Sequence, residues 1–323
     1  HRDLAFTFSF PVAQSAVNAG VLLNWTKGFT AAGVAGQNVV ALLSDALRRK
    51  RIEEVSVTAL VNDTVGTLAT KSYVDSSCDM GVILGTGTNA CYPEKTGRPA
   101  KGGFPQPGKE MILNLEWGNF DKLVTNPYDE ALDRITLNPG RQRMEKMVSG
   151  MYIGELVRLI LLDMTDRGIM LDKKHRPVLA REHSVSSEQM SLSALGEDFF
   201  AAIGIPDVSD RDRDAAAHVC RIVSRRSARI AGAALAAVVT WMDAHLEKKH
   251  TIAIDGSLFE KYPGYPENMR CVLEEFFACR ADRISLCTTS DGSGIGAAII
   301  AAVASFGQEQ KHKPALPRIR KNR

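Results

Sequence analysis

Short apolar runs that each stop at a carboxylate or an amide recur along this chain, and they limit what it can fold into. Residues 55–61 (VSVTALV) deliver Asn62 and Asp63. Residues 80–84 (MGVIL) run into Gly85-Thr86-Gly87-Thr88-Asn89, residues 111–115 (MILNL) into Glu116-Trp117-Gly118, and residues 251–254 (TIAI) into Asp255-Gly256-Ser257. Runs of this length, rich in Val and Ile and bounded by turn residues, read as strands. Between them lie helical periodicities, as in residues 38–51, where Val39, Leu42, Leu43, Ala46 and Leu47 recur at three and four. Strands alternating with helices predict an α/β protein. Ligands of open α/β sheets bind beyond the carboxyl ends of the strands, where these polar residues fall.

The remaining elements follow from the same signals. Residues 4–11 read as a strand ended by Pro11, residues 90–92 as a return strand after the glycine turn, and residues 283–288 as a last strand. Asn138 is placed as an N-cap with Pro139 in the first helical position, leading into one buried helix over residues 144–164. Further helices are expected over 211–248 and 266–279, and another opens at Asp291-Gly292. Residues 93–109, dense in Pro and Gly, read as an irregular loop, and residues 172–193 as a polar surface excursion. The tail from Lys311, basic and broken by proline, is expected to be disordered.

Composition excludes several roles. Forty Lys and Arg against thirty-seven Asp and Glu leave a net charge of +3 over 323 residues, too balanced for nucleic acid as the main partner. The basic run Arg48–Arg51 complements a helix C-terminus. The apolar runs 230–239 and 295–303 are too short to span a bilayer, so no stable membrane insertion is expected. Six cysteines without C-x-x-C spacing argue against a zinc finger or disulfide framework and for a reducing, cytoplasmic setting.

Asn62, Asp63, Asn89, Glu116 and Glu145 form a set of acceptors and mixed donor-acceptors. That is the chemistry a polyhydroxylated ligand requires, since each hydroxyl offers one donor and two lone pairs. Singly, each also reads as a solvated strand end. The Gly85-Thr86-Gly87 turn has two readings: a cradle whose N–H groups approach an anion, or a hairpin needing glycine at positive φ. Residues 292–296 lack the glycine spacing and following βαβ unit of a dinucleotide fingerprint.

Taken in order, the segments FTFSFP (6–11), WTKG (25–28), VNDTVGT (61–67), GTGTNACY (85–92), EWG (116–118), NPG (138–140) with MEK (144–146), and DGSL (255–258) resemble those of eukaryotic-type hexokinases. The resemblance runs from about Leu4 to Ala302. It implies the actin-like, RNase H-like two-lobed ATPase fold, with a large lobe and a partial small lobe. On this pattern residues 1–61 are the remainder of the small lobe and 62–290 the large lobe with the sugar and nucleotide sites. Residues 291–307 are a helix returning to the small lobe, and 308–323 a disordered basic tail.

The implied activity is ATP-dependent phosphorylation of a hexose, glucose with mannose or fructose as alternatives, at its 6-hydroxyl, the first step of glycolysis, with Mg2+. By resemblance Ser9, Thr26 and Lys27 hold the sugar from the small lobe, and Asn62, Asn89, Glu116 and Glu145 from the large one. Asp63 matches the catalytic base and Lys27 assists with phosphate charge. Gly85, Thr86, Gly87, Gly150, Gly256 and Ser257 match nucleotide contacts.

Four departures stand out. No Leu-Asp-Leu-Gly-Gly-Thr-Asn type phosphate hairpin is present, so the chain is expected to be a fragment. Ala5 stands at a glycine position. Met151 replaces a basic residue found in some members, and residues 179–191 do not match a nucleotide-side Thr-Arg-Gly loop. The second reading is therefore a catalytically incompetent homologue acting as a sugar sensor. An actin-like filament or chaperone protein would share the fold but has no use for the clustered Asn89, Glu116 and Glu145.

Overall fold

The computed structural model describes residues 2–99 and 108–312. Parallel strands β1 (Arg2–Thr7) and β4 (Val55–Val61) form one small sheet, and β2 (Val12–Ala16) and β3 (Ala19–Leu22) an antiparallel hairpin beside it. Helix α1 (Val39–Arg49) lies between β3 and β4 in the chain. Its N-cap Asn38 accepts from the amides of Val40 and Ala41. Leu22, Val39, Val40, Val57 and Leu60 bury one apolar cluster there, with Phe6, Phe8, Phe10 and Trp25 packed around it.

Helix α2 (Asp63–Ser72) follows β4 directly. Strands β5 (Cys78–Leu84), β6 (Thr88–Lys95) and β7 (Glu110–Asn114) come next, and β8 (His250–Asp255) and β9 (Ile284–Thr288) complete a five-stranded sheet of order β7-β6-β5-β8-β9. β5, β8 and β9 run parallel, while β6 and β7 are antiparallel additions. Ile83 stands opposite Asp255 and Ile254 opposite Thr288, so the carboxyl ends of the parallel strands finish at one edge. The helices of this lobe are α3 (Pro127–Ile135), α4 (Arg143–Val148), α5 (Gly150–Asp166), α6 (Arg176–Ala180), α7 (Ser187–Ala194), α8 (Phe199–Ala202), α9 (Asp210–Met242), α10 (Ser257–Lys261) and α11 (Tyr265–Phe277). They bury the main core with the sheet.

Helix α12 (Gly292–His312) packs back on α2, β1 and β4. The α2–α12 crossing is made by glycines. A Cβ on Gly296 would lie 1.9 Å from the Gly66 carbonyl oxygen, and one on Gly66 would lie 2.7 Å from that of Ser293. On its other face α2 rests on β5, where a Cβ on Gly81 would fall 2.3 Å from the Thr64 carbonyl oxygen.

Several expectations are corrected. β1 ends at Thr7 because its partner β4 ends at Val61, opposite it, and the chain then turns into the unforeseen β2–β3 hairpin. Asn138-Pro139-Gly140 is a turn, not a helix start. Gly140 adopts φ +75°, donates its amide to Asp133 Oδ2 at 2.8 Å, and the Asn138 carbonyl accepts from the buried Lys146 ammonium at 2.8 Å. The expected helix 144–164 is two helices, broken at Ser149 (ψ 153°), because the Gly150 and Met151 amides turn to the Gly85 and Thr86 carbonyls.

Residues 172–193 are no surface excursion, since Leu179 and Met190 are fully buried and Val185 nearly so. Of the loop 93–109, residues 93–95 belong to β6 and 100–107 lie outside the described residues. α9 ends at Met242, six residues short of the expected end at 248. α12 continues through His312, past the expected boundary at 307, and the rest of the basic tail lies outside the described residues. All six cysteines are free. Cys91, beside Asn89, is wholly buried and its thiol is pushed up to about 12 by that burial.

Candidate functional site

Ser9 lies in the β1–β2 turn, Thr26 and Lys27 in the loop after β3, and Asn62 and Asp63 at the junction of β4 and α2. Asn89 opens β6, Glu116 follows β7, and Glu145 sits in α4. These eight residues, from six segments, line one cleft between the two sheets, together with Gly87, Thr88 and Gln142.

The junction is built locally. Asn62 keeps extended backbone and caps α2, its Oδ1 accepting from the Thr64 amide at 3.0 Å and the Thr64 hydroxyl at 2.5 Å. Asp63 is the first helical residue, so its carboxylate sits at the positive end of α2. Asn89 Nδ2 donates to Asn114 Oδ1 (2.7 Å) and to Glu116 Oε1 (3.2 Å), and Asn114 Nδ2 donates to the same Glu116 oxygen at 2.8 Å. Glu145 Oε2 accepts from the Thr88 amide at 3.1 Å, and Trp117 Nε1 donates to the Thr88 hydroxyl at 2.9 Å.

Each glutamate thus has one oxygen held by the protein. The other, Glu116 Oε2 and Glu145 Oε1, takes no partner among the described residues and is available to a ligand hydroxyl. Burial pushes both carboxyls above the usual range. Asp63 adds to this at Glu116, and at Glu145 the charges of Glu116 and Asp63 do so.

Lys27 closes the cleft from the other side, donating to the Ser9 carbonyl at 3.2 Å and standing 5.8 Å from the centre of the Phe10 ring. Lys27, Glu116 and Gln142 all hold positive φ, at 54°, 51° and 53°. Left-handed backbone at non-glycine residues costs about 1–3 kcal/mol each and concentrates where geometry matters more than stability.

The glycine turn lies next to this cleft. It is a hairpin turn, with Leu84 opposite Thr88, but neither Gly85 nor Gly87 is at positive φ. The amides of Thr86 and Gly87 and the Thr86 hydroxyl take no partner among the described residues. Gly85 and Thr86 instead spend their carbonyls on the first amides of α5, at Gly150 and Met151. Gly256, at φ +136°, passes the end of β5 so closely that a Cβ would lie 2.2 Å from the Leu84 carbonyl oxygen. Gly85, Gly150 and Gly256 are therefore contiguous. Ser257 joins Ser187, Leu258, Lys261 and Tyr262 around a cavity of about 310 Å3.

Three site residues went unforeseen. Asn114, the last residue of β7 and two before Glu116 in the chain, bridges Asn89 to Glu116. Gln142 lines the cleft from a left-handed turn that no local motif announces. Asp255 accepts from the Gly292 amide at 3.1 Å, and its carboxyl is raised first by burial and further by the charge of Asp63.

Two lobes, a five-stranded mixed sheet and a cleft between them are the marks of the actin-like ATPase fold. A family model described as Hexokinase matches residues 79–303, and a second of the same description matches residues 1–73. The chain belongs to the hexokinase family. Hexokinase-3 of Mus musculus is 39% identical over 96% of this chain, and Hexokinase-7 of Oryza sativa subsp. japonica 39% over 94%. The chain spans 35% of the mouse relative's length and 69% of the rice one's. The structure of hexokinase from Schistosoma mansoni complexed with glucose matches with a TM-score of 0.83 at 34% identity, covering 93% of this chain and 70% of that one.

Among the described residues no helix is long and apolar enough to cross a membrane. One relative from rice, 40% identical, is named as chloroplastic.

Proposed function

We propose that this chain carries the sugar site and much of the nucleotide site of an ATP-dependent hexose kinase that phosphorylates a glucose-type sugar on its 6-hydroxyl, in the cytoplasm. One observation carries the reading. Asp63, the half-satisfied carboxylates of buried Glu145 and partly buried Glu116, and the amides Asn62 and Asn89 converge on one cleft, opposite Ser9, Thr26 and Lys27. A hexose presents hydroxyls around its whole rim, and free acceptor oxygens on different walls match that distribution.

A primary hydroxyl is a weak nucleophile, and Asp63 would accept its proton as the bond to phosphorus forms. Burial of Glu116 and Glu145 lets each hold a sugar hydroxyl in a water-poor setting, which fixes the nucleophilic oxygen against Asp63. The Thr86 and Gly87 amides, free of partners among the described residues, would donate to a terminal phosphate, and Lys27, which lines the cleft with Gly87, would supply a positive charge. The cavity beside Ser257 and Ser187 would take the nucleoside.

Mg2+ is held in such sites by one or two carboxylates plus phosphate oxygens. Asp255, within the field of Asp63 and held at one oxygen by the Gly292 amide, would supply such a carboxylate, leaving Asp63 to take the proton. Bound there, the ion would neutralise charge on the phosphates.

The test is formation of hexose 6-phosphate from ATP and glucose, followed for the chain alone and within its native polypeptide, beside Asp63→Ala. Turnover that Asp63→Ala abolishes supports the kinase. Glucose binding without turnover in the native polypeptide would replace it with the sensor reading.

A further inference from the structure

A groove of about 620 Å3 runs between α9 and the segments carrying Phe120, Leu123 and Met144. Its α9 wall is a single helical stripe with two different ends. Toward one end Arg225, Arg226 and Arg229 stand just inside Ile222, and Ile230, Ala233, Ala234 and Ala237 line the other. Small residues set the floor low, and the opposite wall is apolar. Pockets of this size suit one small ligand rather than a helix.

The charges at the polar end reduce to one. Arg226 is held by both oxygens of Asp129, at 2.8 Å each, and Arg229 by both oxygens of Glu275, at 2.8 and 2.7 Å. Arg225 feels the field of Glu275 but makes no hydrogen bond among the described residues. From Arg225 to Ala237 the helix rises about 18 Å, which sets the length of an extended tail lying along it.

We propose that this groove binds a single-chain amphipathic monoanion, an alkyl carboxylate. Its head lies on the Arg225 guanidinium, whose planar fork matches a carboxylate. The tail lies over Ala233, Ala234 and Ala237 against Phe120, Leu123 and Met144. The site is separate from the sugar cleft and does not depend on the kinase reading.

Calorimetric titration of the full chain with octanoate, decanoate and dodecanoate, all below their micellar concentrations, tests this directly. Saturable one-to-one binding is expected, tightening roughly tenfold for each two methylenes added. Decyltrimethylammonium, with the same tail and the opposite charge, should bind at least tenfold more weakly than decanoate. Arg225→Met, an exposed change, should weaken decanoate at least fivefold and leave the cation unaffected. Ala237→Phe, also exposed, should abolish decanoate binding at an unchanged melting temperature.

Equal binding of cation and anion, or decanoate binding indifferent to Arg225→Met, overturns the proposal. So does a native dimer that Ala237→Phe dissociates while decanoate binding persists, because the groove would then be filled by a second copy.

Discussion

Replacing Gly87 by alanine separates the sugar site from the fold. The backbone there is compatible with alanine, since Gly87 is not at positive φ. The added Cβ would lie 2.7 Å from Lys27 Cε, 3.3 Å from Lys27 Nζ and 2.9 Å from Glu145 Oε2, so both side chains must move. Both contacts are at the far ends of side chains, which can yield without shifting main chain.

What moves, however, is the carboxylate that accepts from the Thr88 amide and the ammonium that donates to the Ser9 carbonyl. A hydrogen bond to a charged group contributes about 1.5–3 kcal/mol. Losing the geometry that Glu145 gives the sugar should therefore weaken glucose binding about 10- to 100-fold. Stability should change by no more than about 2 kcal/mol, because only the Thr88 amide is left wanting.

Gly81→Ala is the matched control. Its Cβ would strike the Thr64 carbonyl oxygen at 2.3 Å and the Leu68 amide nitrogen at 2.9 Å, both main chain, and should destabilise by about 3 kcal/mol or more. Glucose titration by tryptophan fluorescence and thermal unfolding read the two effects apart. A Gly87→Ala protein that binds glucose like the wild type would refute the geometric argument. One that loses binding only because it melts as early as Gly81→Ala would refute it equally.

Asp63→Asn should lower turnover about 10²- to 10⁴-fold while glucose affinity stays within a few-fold, as separate measurements of kcat and Kd would show. Because burial holds Glu116 and Glu145 above the usual carboxyl range, glucose affinity should begin to fall as pH drops while still above about 4.5. A Kd that is flat from pH 7 to 4.5 would contradict this.

His250, buried between Asp79 (2.8 Å) and Asp243 (3.2 Å), gives a stability test with a defined sign. Burial alone would lower its pKa, but the two carboxylates outweigh it and the net shift is upward. Its contribution is full below about pH 6.5 and is lost as pH rises through the raised folded value, at up to about 1.4 kcal/mol per pH unit. Unfolding titrations of wild type and His250→Asn between pH 6 and 9 should therefore converge as pH rises. Gly154→Ala, whose Cβ would lie 2.3 Å from the Val185 carbonyl oxygen, should destabilise without any special loss of glucose affinity in the folded fraction.

The large sheet was legible because its strands are apolar runs that stop at chemically distinct residues. The same pattern marks Asn62, Asp63, Asn89 and Glu116 as a group from their positions in the chain alone. Other parts were hidden for identifiable reasons. Helix α2 reads DTVGTLATKS, poor in helix formers, and owes its place to packing between β5 and α12. Residues 172–193 are polar on average, yet three apolar side chains at no regular spacing, Leu179, Val185 and Met190, fix them to the core.

Asn138-Pro139 has the local chemistry of a helix start, but the buried charges of Asp133 and Lys146 hold it as a turn instead. Gln142 then reaches the cleft from that turn, through contacts too distant in sequence for any motif to announce.

Helix α2 has glycine on both of its contact faces, Gly81 beneath it and Gly296 above, with its own Gly66 at the upper crossing. In engineering language it is a shim, a spacer of minimum thickness clamped metal to metal. Its seating is set by covalent dimensions of the main chain, which do not vary from rotamer to rotamer or soften with temperature as packed side chains do. The Asp63 carboxylate stands one residue inside the tip of that shim. The main-chain height of Asp63 above the sheet is thus held to the tolerance of a peptide unit, and any side chain inserted at these three positions would have to break main-chain packing before it could move that carboxylate.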